Sequence, residues 1–418
     1  MIIKEQLKQV YCSYKFLKKF CSDNPEHSLI GKLQAFLFDP RINLFYDFKE
    51  SETDEVWSDR NGTEPPSYLH SLHSRIKQKD NRYEYNNLDD FIKASNFNTI
   101  ILCDSDNDDC ISLSNQYGII VVNHKMADDS FFDRMLKIQG DYITKCDQYC
   151  SWDKILPKSI TNCNSLIIID NYIFKSIDND LIPILEKIIP KTSINCIECP
   201  FHIAVFCNMK KYDDQKLSEK ENLENRQKIF DVVNGKIKKI YKDKVSFTIY
   251  NTDKFHDRYI ITNNYFLMSG AGFTLFQNGK NEVDNNTTLL YYHPLTTEYD
   301  GANEWPGKTV KNTIINLSKI AQKADNNNSS SPLFYSRTIN KKESHRLIDP
   351  IYQEAIIDTI IINYSCRIKI NDESIDLKEK DKENKSFFNK IKGFSKGDKI
   401  EVGRKFGAII DIRPKNKN

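Results

Sequence analysis

Between residues 165 and 292, short apolar strands alternate with helical segments, and this alternation constrains the fold more than any other feature. Two β-branched runs, at residues 165–169 and 202–206, predict buried strands. From Leu217 to Ile240 the apolar residues recur at helical spacing, which predicts a long amphipathic helix. Further strands are predicted at residues 245–249, 259–262, 265–268 and 285–292, and a further helix at 178–189. Such alternation is typical of a mixed or parallel sheet covered on both faces, so the sequence predicts an α/β fold.

Residues 1–160 are predicted to form a separate N-terminal α/β region. Apolar residues recur at helical spacing from Lys4 to Phe20, which favours an amphipathic helix at the start of the chain. From about residue 96, β-branched runs at residues 98–103 and 118–122 flank a polar segment, and this pattern predicts a β-α-β unit. The acidic, turn-rich residues 47–66 are interpreted as a loop.

The composition of the chain changes after a polar run at residues 325–332, which is typical of a linker. We therefore place a linker at residues 325–340, after an α/β domain at residues 161–324. Strands are predicted at residues 355–364, 366–370, 398–402 and 408–412, with glycines at turns. Residues 341–418 are accordingly expected to form a small β-barrel or β-sandwich domain.

Charge and hydropathy limit the classes of protein to which this chain can belong. The sequence has 60 Lys and Arg against 58 Asp and Glu, so its net charge of +2 gives no overall attraction to nucleic acid or to a membrane. No apolar run approaches the ~18–20 residues that a membrane-spanning helix needs. The first residues are charged from the fourth position and lack a secretory signal, and the 11 scattered cysteines favour reduced thiols. These features predict a cytoplasmic, globular protein.

Residues 255–273 carry the clearest indication of chemistry. His256 and Arg258 are two positions apart, and side chains at that spacing in a strand point to the same face of the sheet. An imidazole can attack phosphorus to form a phosphohistidine, while a neighbouring guanidinium can offset charge on the nonbridging oxygens in the transition state. The pair therefore predicts a phosphate site, and a partly buried strand histidine is the structural alternative.

This segment resembles the motif of the phospholipase D superfamily, in which a His is followed by a Lys two positions on, an Asp five positions after the Lys, and then a Gly-Ser turn. His256, Arg258, Asn263 and Gly270 stand at the same relative spacings. The resemblance implies a phospholipase D-like phosphodiesterase domain, with a mixed sheet flanked by helices. In such a domain His256 is the nucleophile and Arg258 the phosphate clamp, and no metal or other cofactor takes part.

The resemblance also implies supporting roles around these two residues. Asn263 would support the catalytic pair, and Glu282 or Asp284 would orient the nucleophilic histidine. The turn after the following strand would bind the substrate. Its candidate residues are Ser269, Gly270 and Gly272.

Three residues depart from the superfamily motif. Arg258 replaces a Lys, which keeps the charge and permits a bidentate contact but changes the reach of the side chain. Asn263 replaces an Asp and Ala271 occupies the place of the Ser, so two polar groups are lost. Phosphate binding should therefore survive more readily than turnover. Because active members bring two motifs together and this chain has one, a homodimer could supply a second His256.

Other groups of residues predict less specific chemistry. Cys196, Cys199 and His202 have the short spacing of zinc ligands, but free thiols in apolar strands behave as small hydrophobic residues, and that interpretation is favoured. The acidic residues 103–109 lack the glycine and terminal glutamate of a calcium loop and are interpreted as a solvated loop. The Lys-rich residues 378–405 could grip a nucleic-acid backbone, although solvated surface is again favoured.

The spacing of the phosphodiesterase motif also occurs at His73, Arg75 and Asp80. Its surroundings are polar and predict a helix, in which residues two apart do not share a face. We interpret this second occurrence as accidental.

These observations predict a phosphodiesterase-like protein that acts on nucleic acid, because a chain without an export signal or membrane segment is less suited to a phospholipid substrate. The resemblance implies a bacterial nuclease or a phage-defence or restriction-type effector. The alternative is a catalytically degenerate module that binds phosphate or nucleic acid and functions in assembly.

Overall fold

The computed structural model describes the chain in segments, and the structural statements below concern those residues alone. The described residues are 8–24, 27–39, 42–48, 67–79, 82–84, 88, 91, 99–144, 151–156, 163–189, 201–276, 283–284, 286–293, 313–314, 316–317, 320–321, 334–335, 351–361, 365–370, 373–378, 394–405 and 408–414.

The N-terminal region contains a five-stranded sheet in which neighbouring strands are parallel. Its strands are β1 (Lys8–Cys12), β2 (Ile42–Tyr46), β3 (Arg82–Glu84), β4 (Thr99–Leu102) and β5 (Ile120–Val122), in the order β3-β2-β1-β4-β5. The helices of this region are α1 (Tyr14–Asp23), α2 (His27–Leu37), α3 (Ser67–Gln78), α4 (Asn107–Tyr117) and α5 (Asp129–Leu136). The order reverses between β1 and β4, as in doubly wound α/β folds. Since α4 joins parallel β4 and β5, the predicted β-α-β unit is confirmed.

The structure differs from the sequence prediction at residues 4–20, where the apolar spacing favours a single helix. Within that range the structure has the strand β1, followed by the start of α1. β1 lies at the centre of the sheet between β2 and β4, and all five of its side chains are buried. A strand buried on both faces has no polar alternation, so its pattern can also fit a helix. The helix begins only after Ser13, whose Oγ caps it by accepting a hydrogen bond from Phe16 N at 3.1 Å.

The second sheet has eight strands in the described residues and a mixed topology. Its strands are β6 (Gln139–Ile143), β7 (Ser165–Ile169), β8 (Phe201–Cys207), β9 (Val245–Asn251), β10 (Arg258–Thr262), β11 (Phe266–Ser269), β12 (Thr287–Tyr292) and β13 (Phe334–Tyr335), in the order β13-β9-β8-β7-β10-β11-β12-β6. β7, β8 and β9 are parallel, while the other neighbours are antiparallel. The strands predicted between residues 165 and 292 are confirmed, and the protein has a mixed α/β fold.

Two strands of the second sheet come from outside residues 161–324. β6 lies in the predicted N-terminal region and pairs with β12. β13 lies in the predicted linker and pairs with β9 at the other edge. The second sheet therefore draws its strands from three of the regions predicted from the sequence.

The two sheets share one hydrophobic core, although no strand pairing joins them among the described residues. Helices α1, α2, α3 and α5 contribute side chains such as Phe16, Leu33 and Phe132 to this core. Side chains from the second sheet, including Ile167 and Phe206, belong to the same cluster. The other face of the second sheet is covered by α6 (Trp152–Ile155), α7 (Ile182–Ile188) and α8 (Glu219–Tyr241). No helix in the described residues is long and apolar enough to cross a membrane.

The C-terminal strands form a third, antiparallel sheet. Its strands are β14 (Ile351–Ile361), β15 (Ser365–Ile370), β16 (Glu373–Lys378), β17 (Lys399–Lys405) and β18 (Ala408–Pro414), in the order β16-β15-β14-β17-β18. The predicted strands are confirmed. In the described part of this region β16 and β18 are the edge strands of the sheet, and a small β-barrel or β-sandwich stays a prediction.

A buried lysine connects the first sheet to the second. Lys8, at the start of β1, donates from Nζ to Asn263 O at 2.5 Å and to Asn264 Oδ1 at 2.8 Å. Both acceptors lie in the turn between β10 and β11. Burial lowers the pKa of the Lys8 ammonium from 10.5 to about 7, because the interior disfavours the charged form.

The folded protein should become more stable as the pH rises above 7, and Lys8 should be the cause. Between pH 7 and 10.5 the unfolded chain keeps the proton of Lys8 while the folded chain releases it, so stability rises by up to about 1.4 kcal/mol per pH unit. Lys8→Met should remove this increase. The measurement is the free energy of unfolding in urea at pH 7.5 and 9.

The matched control is Lys18→Met, which makes the same chemical change at an exposed position on α1. It should keep the pH dependence of the wild type. If Lys8→Met and Lys18→Met show the same pH dependence, Lys8 does not titrate in this range.

Candidate active site

His256 and Arg258 lie at one end of the second sheet, but they do not share a strand. β10 begins at Arg258, and His256 lies in the loop that follows β9. The neighbours of β10 end at the same level, since Ser269 of β11 pairs opposite Arg258 and Ile169 of β7 opposite Tyr259. No strand partner is therefore left for residue 256. The same-face argument from strand periodicity does not apply to His256, whose side chain is exposed, whereas Arg258 is partly exposed.

The Arg258 side chain is held against the glycine-rich turn after β11. Its Nη1 donates to Gly270 O at 3.1 Å. Gly272 has a φ of 98°, a left-handed conformation that favours glycine. A Cβ at Gly272 would lie 2.9 Å from Asp170 Oδ2 and 3.3 Å from Arg258 Cδ. The structure thus brings together Arg258, Gly270 and Gly272, three of the residues predicted for the site, and adds Asp170.

Ser269 stabilises this turn from the inside. Its Oγ donates to Gly272 O at 2.6 Å and accepts from Gly272 N at 3.0 Å, and the residue is buried. Thr287 of β12 supports the same turn, because its Oγ1 accepts from Ala271 N at 3.0 Å. Ser269 is predicted to bind the substrate, whereas in the structure its hydroxyl bonds within the turn.

Asp170 is a residue of this site that the sequence analysis did not identify. It follows β7, and its carboxylate is buried. Oδ1 accepts from Tyr172 N and Oδ2 from Phe273 N, both at 2.7 Å. Burial raises the pKa of this carboxyl group, while the two N–H donors and the charge of Arg258 lower it. The only signal in the sequence is an acidic residue at the carboxyl end of a predicted strand, where α/β sheets place functional groups.

Asn263 lies at the opposite end of β10 from Arg258, five residues and roughly 16 Å along the strand. It is fully buried. Its Nδ2 donates to Gly118 O and its Oδ1 accepts from Asn164 N, both at 2.9 Å. The structure therefore does not bring Asn263 together with His256, and its contacts join β10 to the N-terminal region.

Loops after β7 and β8 are held together beside His256. Asn171 donates from Nδ2 to Phe255 O at 3.3 Å, and its Oδ1 accepts from Asn208 N at 2.8 Å. The Phe255 ring packs against Phe206, with ring centroids 6.4 Å apart. His256 thus follows a residue that is anchored over the carboxyl ends of the parallel strands. Glu282, one of the two residues predicted to orient His256, lies outside the described residues. Asp284, the other, is described, and its backbone N donates to Leu275 O at 2.8 Å.

The second occurrence of the motif spacing, the candidate zinc ligands and the acidic loop contain residues with structural roles. His73 is buried on α3, which also carries Arg75, so these two residues of the second occurrence lie on a helix as predicted, while Asp80 lies outside the described residues. His202 is buried in β8, with Nε2 3.3 Å from Thr248 Oγ1. Cys196 and Cys199 lie outside the described residues, and the part of the chain that is described contains no group of three side chains that could hold a metal ion. Asp106, in the acidic loop, caps α4.

No protein-family model and no curated protein matches this chain. Solved structures that are similar to parts of it include two proteins. One is TrmBL2, an archaeal chromatin protein described with a novel mode of DNA binding; it is 12% identical, with a TM-score of 0.22, over 45% of this chain and 52% of its own. The other is the phosphatidylserine synthase of Haemophilus influenzae Rd KW20, which is 11% identical, with a TM-score of 0.27, over 43% of this chain and 38% of its own. The match thus spans about half or less of each of these proteins.

Replacing Gly272 by Ala should destabilise the turn that contacts Arg258. A Cβ there would require a left-handed backbone at a side-chain-bearing residue and would press on the Asp170 carboxylate. We expect Gly272→Ala to lower the free energy of unfolding by about 1–3 kcal/mol. Urea unfolding followed by circular dichroism measures this change.

Gly235→Ala is the matched control, because Gly235 lies within α8 and nothing would contact its Cβ within 4 Å. This variant should be more stable than the wild type by up to about 1 kcal/mol, since Ala is the better helix former. Equal effects of the two substitutions would show that the turn at Gly272 is not constrained by its neighbours.

Proposed function

We propose that this protein is a phosphodiesterase of the phospholipase D type that acts on nucleic acid. The supporting observation is the position of Arg258, whose partly exposed guanidinium is anchored on Gly270 O at the end of the sheet that also carries the exposed His256. A guanidinium has five N–H donors, so donors remain for a phosphate after the bond to Gly270. The motif spacing shared with the superfamily assigns the nucleophile to His256.

The proposed reaction has two displacement steps. In the first, the His256 imidazole attacks phosphorus and the bond to the departing alcohol breaks, which leaves a phosphohistidine and an alcohol that takes up a proton. In the second, water attacks the phosphohistidine and gives up a proton, which balances the one taken up by the alcohol; the N–P bond breaks, and a phosphomonoester is released. Arg258 offsets the charge that develops on the nonbridging oxygens in both steps. None of these steps uses a metal ion.

The second candidate function is a module that binds phosphate or nucleic acid without cleaving it. The observation that favours it is the buried Asp170 carboxylate beside Arg258, because its negative charge offsets part of the guanidinium charge that would stabilise a transition state. The departures from the superfamily motif at Arg258 and Ala271 also favour a module that binds without cleaving. A role in phage defence or restriction stays a prediction from the resemblance.

Cleavage of labelled single- and double-stranded DNA and RNA, with a chelator present, tests the enzyme proposal. The wild type should cleave at least one of these substrates, and His256→Ala should reduce the rate on the order of 10³-fold or more because the nucleophile is lost. His70→Ala is the matched control, since His70 is an exposed histidine on α3. It should cleave at the wild-type rate.

An acid-labile phosphate on His256, detected by mass spectrometry at alkaline pH, would support the covalent step directly. Cleavage that is equal in the wild type and in His256→Ala would rule out the proposed nucleophile. Binding by both proteins with cleavage by neither would favour the non-catalytic module.

We also propose that a homodimer brings two His256 side chains together. In that case both subunits of a dimer must be intact. A one-to-one mixture of wild-type and His256→Ala subunits, allowed to exchange, should then keep about one quarter of the activity, because random assortment leaves that share of doubly intact dimers. One half of the activity would show that each subunit works alone, and sedimentation velocity would report the oligomeric state.

A further inference from the structure

The turn that anchors Arg258 is supported from several sides, and Asp170 supplies the support from the core. Its Oδ2 accepts from Phe273 N at 2.7 Å, directly after Gly272. Gly272 lies between the Asp170 carboxylate and the side chain of Arg258, since a Cβ on it would meet both. The same turn presents Gly270 O to Arg258 Nη1. A continuous series of contacts therefore leads from Asp170 through the turn to the guanidinium.

A neutral side chain could accept the same hydrogen bonds as the charged Asp170 carboxylate. The oxygen of a hydroxyl or an amide can also accept a hydrogen bond from a backbone N–H, and burying such a group costs less free energy than burying a carboxylate. The cost appears as the raised pKa of the Asp170 carboxyl group. The charge of Arg258 also acts on this carboxylate and lowers its pKa, although less than the N–H groups of Tyr172 and Phe273 do. The two backbone N–H donors and the Arg258 guanidinium thus offset only part of the cost of burying this charge, since the pKa stays above its ordinary value.

We propose that Asp170 is a positioning residue, which holds the turn at residues 269–273 and through it fixes the direction of the Arg258 guanidinium toward a phosphate. The inference rests on the proposed function, because it takes Arg258 as the phosphate-binding group. Asp170 itself is buried behind Gly272 and does not contact the substrate.

Asp180 provides a matched comparison within the same molecule. It is also a buried aspartate that follows β7, and its carboxylate accepts from Leu275 N at 2.9 Å and Phe276 N at 3.1 Å, just beyond the turn. It also accepts from Trp152 Nε1 at 2.8 Å. Both aspartates thus hold the segment after β11, but Asp170 is the one that lies against Gly272 and acts on Arg258. Replacing Asp180 should destabilise the protein without changing the direction or the accessibility of the Arg258 guanidinium.

The first experiment measures how readily the Arg258 guanidinium reacts with a reagent, in the absence of any ligand. The protein is treated with phenylglyoxal, a reagent for guanidinium groups, and the rate of modification at Arg258 is read by peptide mass spectrometry. Asp170→Asn should raise this rate several-fold, because the guanidinium is released from Gly270 O, while Asp180→Asn should leave it unchanged. An unchanged rate in folded Asp170→Asn, or an equal rise in both variants, would overturn the proposal.

The second experiment tests the same link through binding of an oligonucleotide, in a His256→Gln background. Asp170→Asn should weaken binding by about tenfold when Arg258 is present, and by less than about twofold when Arg258 is replaced by Ala. A pure charge effect would strengthen binding of the anion, and a purely structural effect would be the same in both backgrounds. Either of these results would contradict a positioning role.

Thermal unfolding of every variant checks that these comparisons are made on folded protein. Should Asp170→Asn fail to fold, Thr287→Val replaces it in both experiments, since Thr287 Oγ1 supports the same turn through Ala271 N. A lack of coupling between Thr287 and Arg258 would then overturn the proposal. If Arg258 responds to Asp170 but no nucleic acid is cleaved, the positioning role stands and the catalytic proposal fails.

Discussion

The hydrogen bonds of Asn263 are the constraint on which the relation between the two large sheets depends. Its side chain accepts from Asn164 N and donates to Gly118 O, and its carbonyl accepts from the buried ammonium of Lys8, 255 positions away in the chain. A buried polar group left without a partner costs about 1–3 kcal/mol, so these groups must meet for the protein to be stable. These hydrogen bonds fix one end of β10 against the first sheet. Because β10 is a short paired strand, its other end, with Arg258, is positioned as well.

Two opposing requirements meet at the Arg258 end of the strand. A phosphate site needs a positive group that is accessible, and Arg258 is partly exposed. It also needs that group in a defined direction, which the structure achieves by bonding Arg258 to Gly270 O, in the turn that Ser269 stabilises. The buried carboxylate of Asp170 contributes to this order and at the same time offsets part of the positive charge. The proposed phosphate site is therefore well oriented but has a reduced positive charge.

The sequence predicts some elements of this fold correctly and others wrongly, for physical reasons. The β-branched runs of the second sheet predict their strands correctly, because those segments are bounded by polar turns. The predicted helix at residues 4–20 contains β1, because a fully buried strand lacks the alternation that distinguishes it from a helix. Asn263 and His256 have the motif spacing in the sequence. The extended strand β10 lies between them, however, so they are at opposite ends of that strand. Motif spacing thus located Arg258 and the Gly270 turn but could not show which motif residues meet.

The sequence by itself determined the α/β class, the strands of the second sheet between residues 165 and 292, four of the five described strands of the third sheet, and the segment that carries His256 and Arg258. Local information suffices for these features, since apolar periodicity and turn residues act over a few positions. Only the tertiary structure decided that β6 and β13 join the second sheet, that Asp170 lies behind Gly272, and that Lys8 reaches the turn after β10. These features depend on contacts between residues far apart in the chain, whose partners are set by the packing of the whole core.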